Sequence, residues 1–262
     1  MRTFGWAVHP PVLKTTNLLI GLTALAVLIE PFPTASRALA DDATVQQLIV
    51  VTTPSLTGTR GQVRWYERQG DSEWRSAGGP VSARLGWAGS IPAAKRRQDS
   101  GKTPMGTFTM SSAFGRLADP GARLPYRRID RDDAWTFDSR FPSTYNVFQD
   151  APRSWRSYGD DVEILWQHGA QYRYAVVIDF NMPAGPIRTG PDGVRRSAAP
   201  ADTAKGGGIF LHVDDGNATA GCVAIPQAAM RTILQWLDPD QSPRIVIGTP
   251  ASMRAQYGSQ FP

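Results

Sequence analysis

The sequence predicts a mainly β fold with a few short helices, and three observations carry that expectation. Gly and Pro are both plentiful, 25 and 21 of 262 residues, which marks many turns. The β-branched and aromatic residues fall into short runs bounded by those turn residues rather than into long amphipathic stretches. Only one segment, following Pro226, repeats apolar residues at helical spacing. A hydrophobic share of 41% against 19% charged is enough to bury a core, so the main body is neither disordered nor a small domain needing staples.

Taken in order, the first forty residues read as an address rather than as fold. Arg2, His9 and Lys14 precede an uncharged apolar run at 18–29, then Pro31 and Pro33, then Ala38-Leu39-Ala40. A basic start, a short apolar stretch and a small-x-small exit are the pattern of a secretory signal peptide over 1–40. The run is shorter than the roughly 20 residues a membrane span needs. Membrane contact is therefore expected only through this segment, if it stays uncleaved, and the mature protein is expected to be secreted or periplasmic.

The remainder shows no repeat and no linker long enough to divide it. It is read as one domain over 41–250, with 251–262 as a C-terminal tail. Residues 47–52 are a β-branched run stopped by Pro54. Residues 62–67 alternate, and Gln69-Gly70-Asp71 turns the chain toward Trp74, which together predict a hairpin. Another short strand is expected at 107–110. The stretch 115–159 has no period and is long for a structureless connection, which suggests a functional cover or cleft. Residues 172–180 give the strongest central-strand signal, with 209–213 and 244–247 as further strands. Pro226 opens the helix, Met230, Ile233, Leu234 and Leu237 line its apolar face, and Asp238-Pro239 ends it.

Charge and rare residues narrow the chemistry. Lys and Arg exceed Asp and Glu by 28 to 23, but the excess is spread along the chain, with no basic run interleaved with aromatics. Nucleic acid is accordingly not expected as a partner. One Cys excludes an intramolecular disulfide and a C-x-x-C site, and His occurs only at 9, 168 and 212. An unpaired thiol in an exported protein is either a buried structural residue or a reactive one.

His212, near the end of a buried strand, precedes Cys222 by a short segment containing the turn pair Asp215-Gly216. The chain can thus fold back and bring the two side chains together. A free thiol has a pKa of about 8.5 and is mostly protonated at neutral pH; an adjacent imidazole can take its proton and create a nucleophile. Gly221 lets the backbone turn tightly, so that the amides of Ala220, Gly221 and Cys222 can face a developing oxyanion. Alternatively, Cys222 is a small buried hydrophobe and His212 a core residue. A metal site from His212, Asp214, Asp215 and Cys222 lacks the several His or Cys ligands expected of zinc. No cofactor and no metal are expected.

His212 followed by Thr219-Ala220-Gly221-Cys222-Val223 resembles the active-site signature of the L,D-transpeptidases with a YkuD-like catalytic domain. Upstream, Gly101-Lys102-Thr103-Pro104-Met105-Gly106-Thr107-Phe108 is similar to that family's Gly-Lys-Thr-Pro-x-Gly-x-Phe strand, and the segment after Cys222 looks like an exported, actinobacterial-type branch. The resemblance implies a YkuD-like β-sandwich with a few short helices, one directly after the catalytic Cys. It implies Cys222 as nucleophile attacking the third residue of a peptidoglycan tetrapeptide stem, His212 as base and then acid, and Gly221 as part of the catalytic turn. The Val213 carbonyl would orient the imidazole, Thr219 and Ala220 would contact substrate, and Tyr145 would either line the cleft or be an ordinary packing residue. Peptidoglycan stem peptides are the expected partners, with carbapenem-type compounds as inhibitors. Ala220 and Ala224 depart from the family pattern, which has a second His and then Arg or Asn at these places, and the spacer after His212 is short.

Two alternatives stay open on the sequence. The same nucleophile would serve an L,D-carboxypeptidase or endopeptidase, and the two alanines keep a non-catalytic wall-binding module in play. His168 is read as a loop residue, and Gly101-Lys102-Thr103 as a tight turn entering a strand, because Arg96 stands where a phosphate loop requires its first Gly.

Overall fold

The computed structural model describes residues 44–150, 155, 161–258 and 261–262. The leader expected over 1–40 lies outside them. No helix among the described residues is long and apolar enough to cross a membrane.

The architecture is mainly β. The N-terminal half holds β1 (Gln47–Thr52), β2 (Arg60–Glu67), β3 (Arg75–Arg84), β4 (Ser90–Pro92), β5 (Thr103–Thr109), β6 (Ala113–Gly115), β7 (Tyr126–Arg128), β8 (Ala134–Thr136) and β9 (Val147–Gln149). After it come β10 (Val162–Ile164), β11 (Ala175–Val177), β12 (Ile187–Thr189), β13 (Arg195–Ser197), β14 (Phe210–Val213), β15 (Val223–Ile225), helix α1 (Gln227–Trp236), β16 (Arg244–Gly248) and helix α2 (Pro250–Tyr257). The large sheet has 11 strands in the order β4-β5-β16-β1-β2-β3-β15-β14-β11-β6-β7; β10-β8-β9 form a small sheet and β12-β13 a hairpin.

Burial explains why the apolar runs read as they do. β1 is sandwiched between antiparallel β2 and parallel β16. Ile49 and Val51 enter the main core, while Leu48 and Val50 pack on the other face with Val246, Met253 and Tyr257. A strand buried on both faces loses polar alternation and becomes a continuous apolar run. The hairpin expected around Gln69-Gly70-Asp71 is β2–β3. The segment read as a C-terminal tail carries α2 over most of its length, opened by a Thr249–Ser252 capping box and anchored by buried Met253 and Tyr257.

α1 buries Ala229, Met230, Ile233 and Leu234 in the main core. Each of the three larger side chains contributes about 1.5–3 kcal/mol by leaving water. A charge at Ile233, which is fully buried, would break that contact.

The aperiodic stretch 115–159 is not structureless. Within it β8 and β9, joined by β10, make the small sheet, whose Trp135 meets Phe210 of β14 edge-on at 4.9 Å. Trp135, Leu165, Tyr172, Phe210 and Cys222 share one apolar cluster. The small sheet therefore packs on the face of the large sheet that carries the thiol.

Candidate active site

His212 and Cys222 are placed by two neighbouring strands. β14 and β15 run parallel, with Leu211 beside Val223, His212 beside Ala224 and Val213 beside Ile225. The chain folds back after Asp215-Gly216, as the sequence suggested, but re-enters the sheet parallel to β14 rather than closing a hairpin. Asp214 Oδ1 accepts from the Gly216 amide at 2.8 Å, bending the chain out of β14. It then runs beside the end of β3, where Thr219 donates its amide to Leu85 O and accepts from the Trp87 amide on its own carbonyl. From there it re-enters the sheet at Cys222, level with Phe210. Side chains alternate along strands, so Phe210, His212 and Cys222 share a face, while Leu211, Val213 and Val223 point into the main core. Strands about 4.8 Å apart with a rise of about 3.3 Å per residue make the ring and thiol diagonal neighbours, roughly 8 Å apart at their Cβ atoms.

The thiol is held by two backbone groups. Cys222 Sγ accepts from the Phe210 amide at 3.3 Å and donates to Gly208 O at 3.3 Å. Gly208 is fixed in turn by Asn146, whose Oδ1 accepts from the Gly208 amide at 2.9 Å and from Trp135 Nε1 at 2.8 Å. The Cys222 carbonyl accepts from Thr219 Oγ1 at 2.6 Å. Gly221 lies at φ 141°, and a Cβ there would stand 3.0 Å from Lys102 O and 3.1 Å from Arg96 Nη2. Only Gly fits that turn without strain. The Gly221 amide is committed to Thr219 Oγ1 at 3.1 Å, so Ala220 and Cys222 are the amides left to consider for an oxyanion.

Electrostatics keep both partners neutral at rest. Burial, and after it the Glu163 charge, push the Cys222 thiol up to about 12, against smaller lowering by the Phe210 amide and the Arg96 charge. Burial lowers the His212 pKa below its ordinary value, opposed by the Val213 carbonyl and by Asp215 and Asp214. His212 Nδ1 lies 2.9 Å from Val213 O. A carbonyl can only accept, so Nδ1 carries the proton and Nε2 is left as the basic nitrogen.

Both side chains line a cleft of about 680 Å³. A thiol and an oriented neutral imidazole in one cleft can perform acyl transfer. The profile of the YkuD family, the L,D-transpeptidase catalytic domain, matches residues 47–250. The chain belongs to that family. No curated protein matches it.

Within this L,D-transpeptidase domain the expected contact residues divide. Thr219 and Ala220 line the cleft beside Cys222, whereas Val213 offers only its carbonyl, its side chain facing the main core. Tyr145 does not reach the cleft, a correction to its expected role. It is fully buried, and its hydroxyl donates to Gln98 Oε1; Gln98 is the residue that lines the wall. The alternative metal set does not converge either. Asp214 accepts from Arg84 Nε at 2.8 Å and Asp215 from Gln171 Nε2 at 2.7 Å. Among the described residues, no group of three or more His, Cys, Asp or Glu is placed to hold a metal ion.

Three further residues line the cleft: Arg96 and Glu163, unassigned from the sequence, and His168, read there as a loop residue. Arg96, 4% exposed, donates to Lys102 O at 3.0 Å and Lys205 O at 2.5 Å, and its guanidinium lies over the Phe180 ring. Its Nη1 lies where a Cβ on Gly206 would stand, so the glycine run is built around it. Burial lowers its pKa, with the Cys222 charge acting in the opposite direction. His168 and Glu163 also line the cleft, with His168 Nε2 3.3 Å from Glu163 Oε1. The sequence signal for Arg96 is the Arg96-Arg97 pair a few residues ahead of Gly101-Lys102-Thr103-Pro104.

Proposed function

We propose that the protein is an exported, cysteine-dependent L,D-transpeptidase acting on peptidoglycan tetrapeptide stems. The observation that carries this reading is the shared sheet face and cleft of Cys222 and His212, with Nδ1 of the imidazole engaged by Val213 O. His212 Nε2 takes the Cys222 proton as sulfur attacks the carbonyl of the third stem residue. The C–N bond to the terminal D-Ala then breaks, and D-Ala leaves with the proton returned by the imidazole. An amine from a second stem resolves the thioester, forming the cross-link and restoring the thiol. The basic start, apolar run and Ala38-Leu39-Ala40 exit of the sequence support action outside the cytoplasm.

The test is product analysis by mass spectrometry after incubation with a tetrapeptide stem, with a carbapenem as a second acylating probe. The reading expects released D-Ala, a cross-linked dimer and a carbapenem adduct, all abolished by Cys222→Ala. Released D-Ala with tripeptide and no dimer would instead assign a carboxypeptidase. No adduct and no product would assign a binding module.

A further inference from the structure

A second set of ionisable side chains lines the same cleft and takes no part in the thiol–imidazole chemistry. Glu163 lies in β10, His168 ends a 3-10 turn spanning Leu165–His168, and Tyr172 follows in the next turn. Tyr172 donates its hydroxyl to Glu163 Oε1 at 2.5 Å, and His168 Nε2 lies 3.3 Å from the same oxygen. The Tyr172 ring meets His212 edge-on at 5.6 Å and His168 at a tilt at 5.1 Å, so this cluster touches the reacting imidazole.

Glu163 is placed against the interest of the nucleophile. Its charge raises the Cys222 pKa, and burial lifts its own carboxyl above the usual carboxylate range. Among the described residues Oε1 meets Tyr172 and His168, and Oε2 takes no hydrogen bond from them. A half-satisfied carboxylate at the mouth of a reaction cleft is stabilised by a cation, and it disfavours an anionic group. Attack by water requires no such group, whereas an acceptor amine arrives as an ammonium ion.

Building on the proposed transpeptidase reading, we infer that Glu163, flanked by His168 and Tyr172, is the binding site for the primary ammonium group of the acceptor. The bound ammonium passes one proton to the Glu163 carboxylate, and the neutral amine attacks the thioester carbonyl. A C–N bond forms as the C–S bond breaks, and the amine's second proton reaches the departing sulfur through His212. Neutralising Glu163 also removes the charge that opposed the thiolate, so acceptor occupancy and sulfur departure favour each other.

The test uses a donor stem with its own amines acetylated, so that the added nucleophile is the only cation. Glu163→Gln keeps the shape and the Tyr172 hydrogen bond but removes the charge. Two nucleophiles are compared on wild type and variant: Nα-acetyl-lysine amide, which is cationic, and hydroxylamine, which is uncharged at neutral pH. The expected result is a rise of about tenfold or more in the lysine amide concentration giving half-maximal aminolysis, with hydrolysis taking the difference. Resolution by hydroxylamine keeps its concentration dependence, and it also reports an intact fold. An unchanged lysine amide dependence, or an equal loss for both nucleophiles, overturns the inference while leaving the transpeptidase reading standing. Absence of any thioester in wild type overturns that reading and the inference with it.

Discussion

Replacing Asn146 by Ala tests how the cleft is held together. Asn146 is fully buried at φ 56°, and its amide makes four strong contacts. Oδ1 accepts from Trp135 Nε1 at 2.8 Å and from the Gly208 amide at 2.9 Å; Nδ2 donates to Asn181 O at 2.7 Å and Phe180 O at 3.2 Å. The change orphans the buried Trp135 Nε1 donor, costing about 1–3 kcal/mol, and the part-buried Gly208 amide, costing about 1 kcal/mol. The left-handed backbone, which Asn tolerates better than Ala, adds about 1 kcal/mol. The expected destabilisation is about 3–5 kcal/mol, a large part of the 5–15 kcal/mol typical of a domain. At roughly 2–4 °C per kcal/mol for a domain of this size, Tm falls by about 10 °C. The assay is thermal and urea unfolding followed by circular dichroism. In a Trp135→Phe background one orphaned donor is already gone, so the same change should cost about 1–2 kcal/mol less. A loss under about 1 kcal/mol, or strict additivity with Trp135→Phe, would refute the network.

The remaining predictions concern the site itself. Because the His212 pKa is lowered, its neutral, basic form persists below the ordinary imidazole value of about 6.5, so the acid limb of kcat/KM against pH falls below that value. A limb at or above it would contradict the burial argument. The thiol, raised to about 12, should react with iodoacetamide at a rate still climbing well past about pH 8.5, where a free thiol levels off. Arg96→Met removes a charge that favours the thiolate and should slow that alkylation at fixed pH; an unchanged rate would remove Arg96 from the nucleophile's surroundings. Gly221→Ala should lower acylation at least about tenfold with only about 1–3 kcal/mol lost in stability, because the strain falls on the catalytic turn. Equal acylation in that variant would show that the turn tolerates a side chain.

Much of the fold was legible because its signals are local. The β1 run, the β2–β3 hairpin and α1 each carry a period or a turn pair within a dozen residues. The parallel pairing of β14 and β15 was not, since Asp215-Gly216 signals a reversal without saying which edge the chain returns to. The small sheet over the site escaped for another reason. β8, β9 and β10 are three residues each, too short to show alternation, and their order in space is not their order in sequence. At the site, His212, Gly221 and Cys222 sit close in the chain and advertise themselves by rarity and by a turn. Glu163, His168 and Arg96 reach the cleft from distant segments, and only folding makes them neighbours. Tyr145 misled because a buried aromatic that supports a cleft wall has the same sequence signature as one that lines it.

The central claim is that the Cys222 thiol and the His212 imidazole act as one nucleophile across two parallel strands. The most direct measurement is the rate at which a tetrapeptide stem acylates Cys222, followed by intact mass, in wild type and in His212→Ala of unchanged circular dichroism. The account predicts a loss of about 10²-fold or more, the scale of general-base catalysis. Acylation within about threefold of wild type, against that same scale, would contradict it.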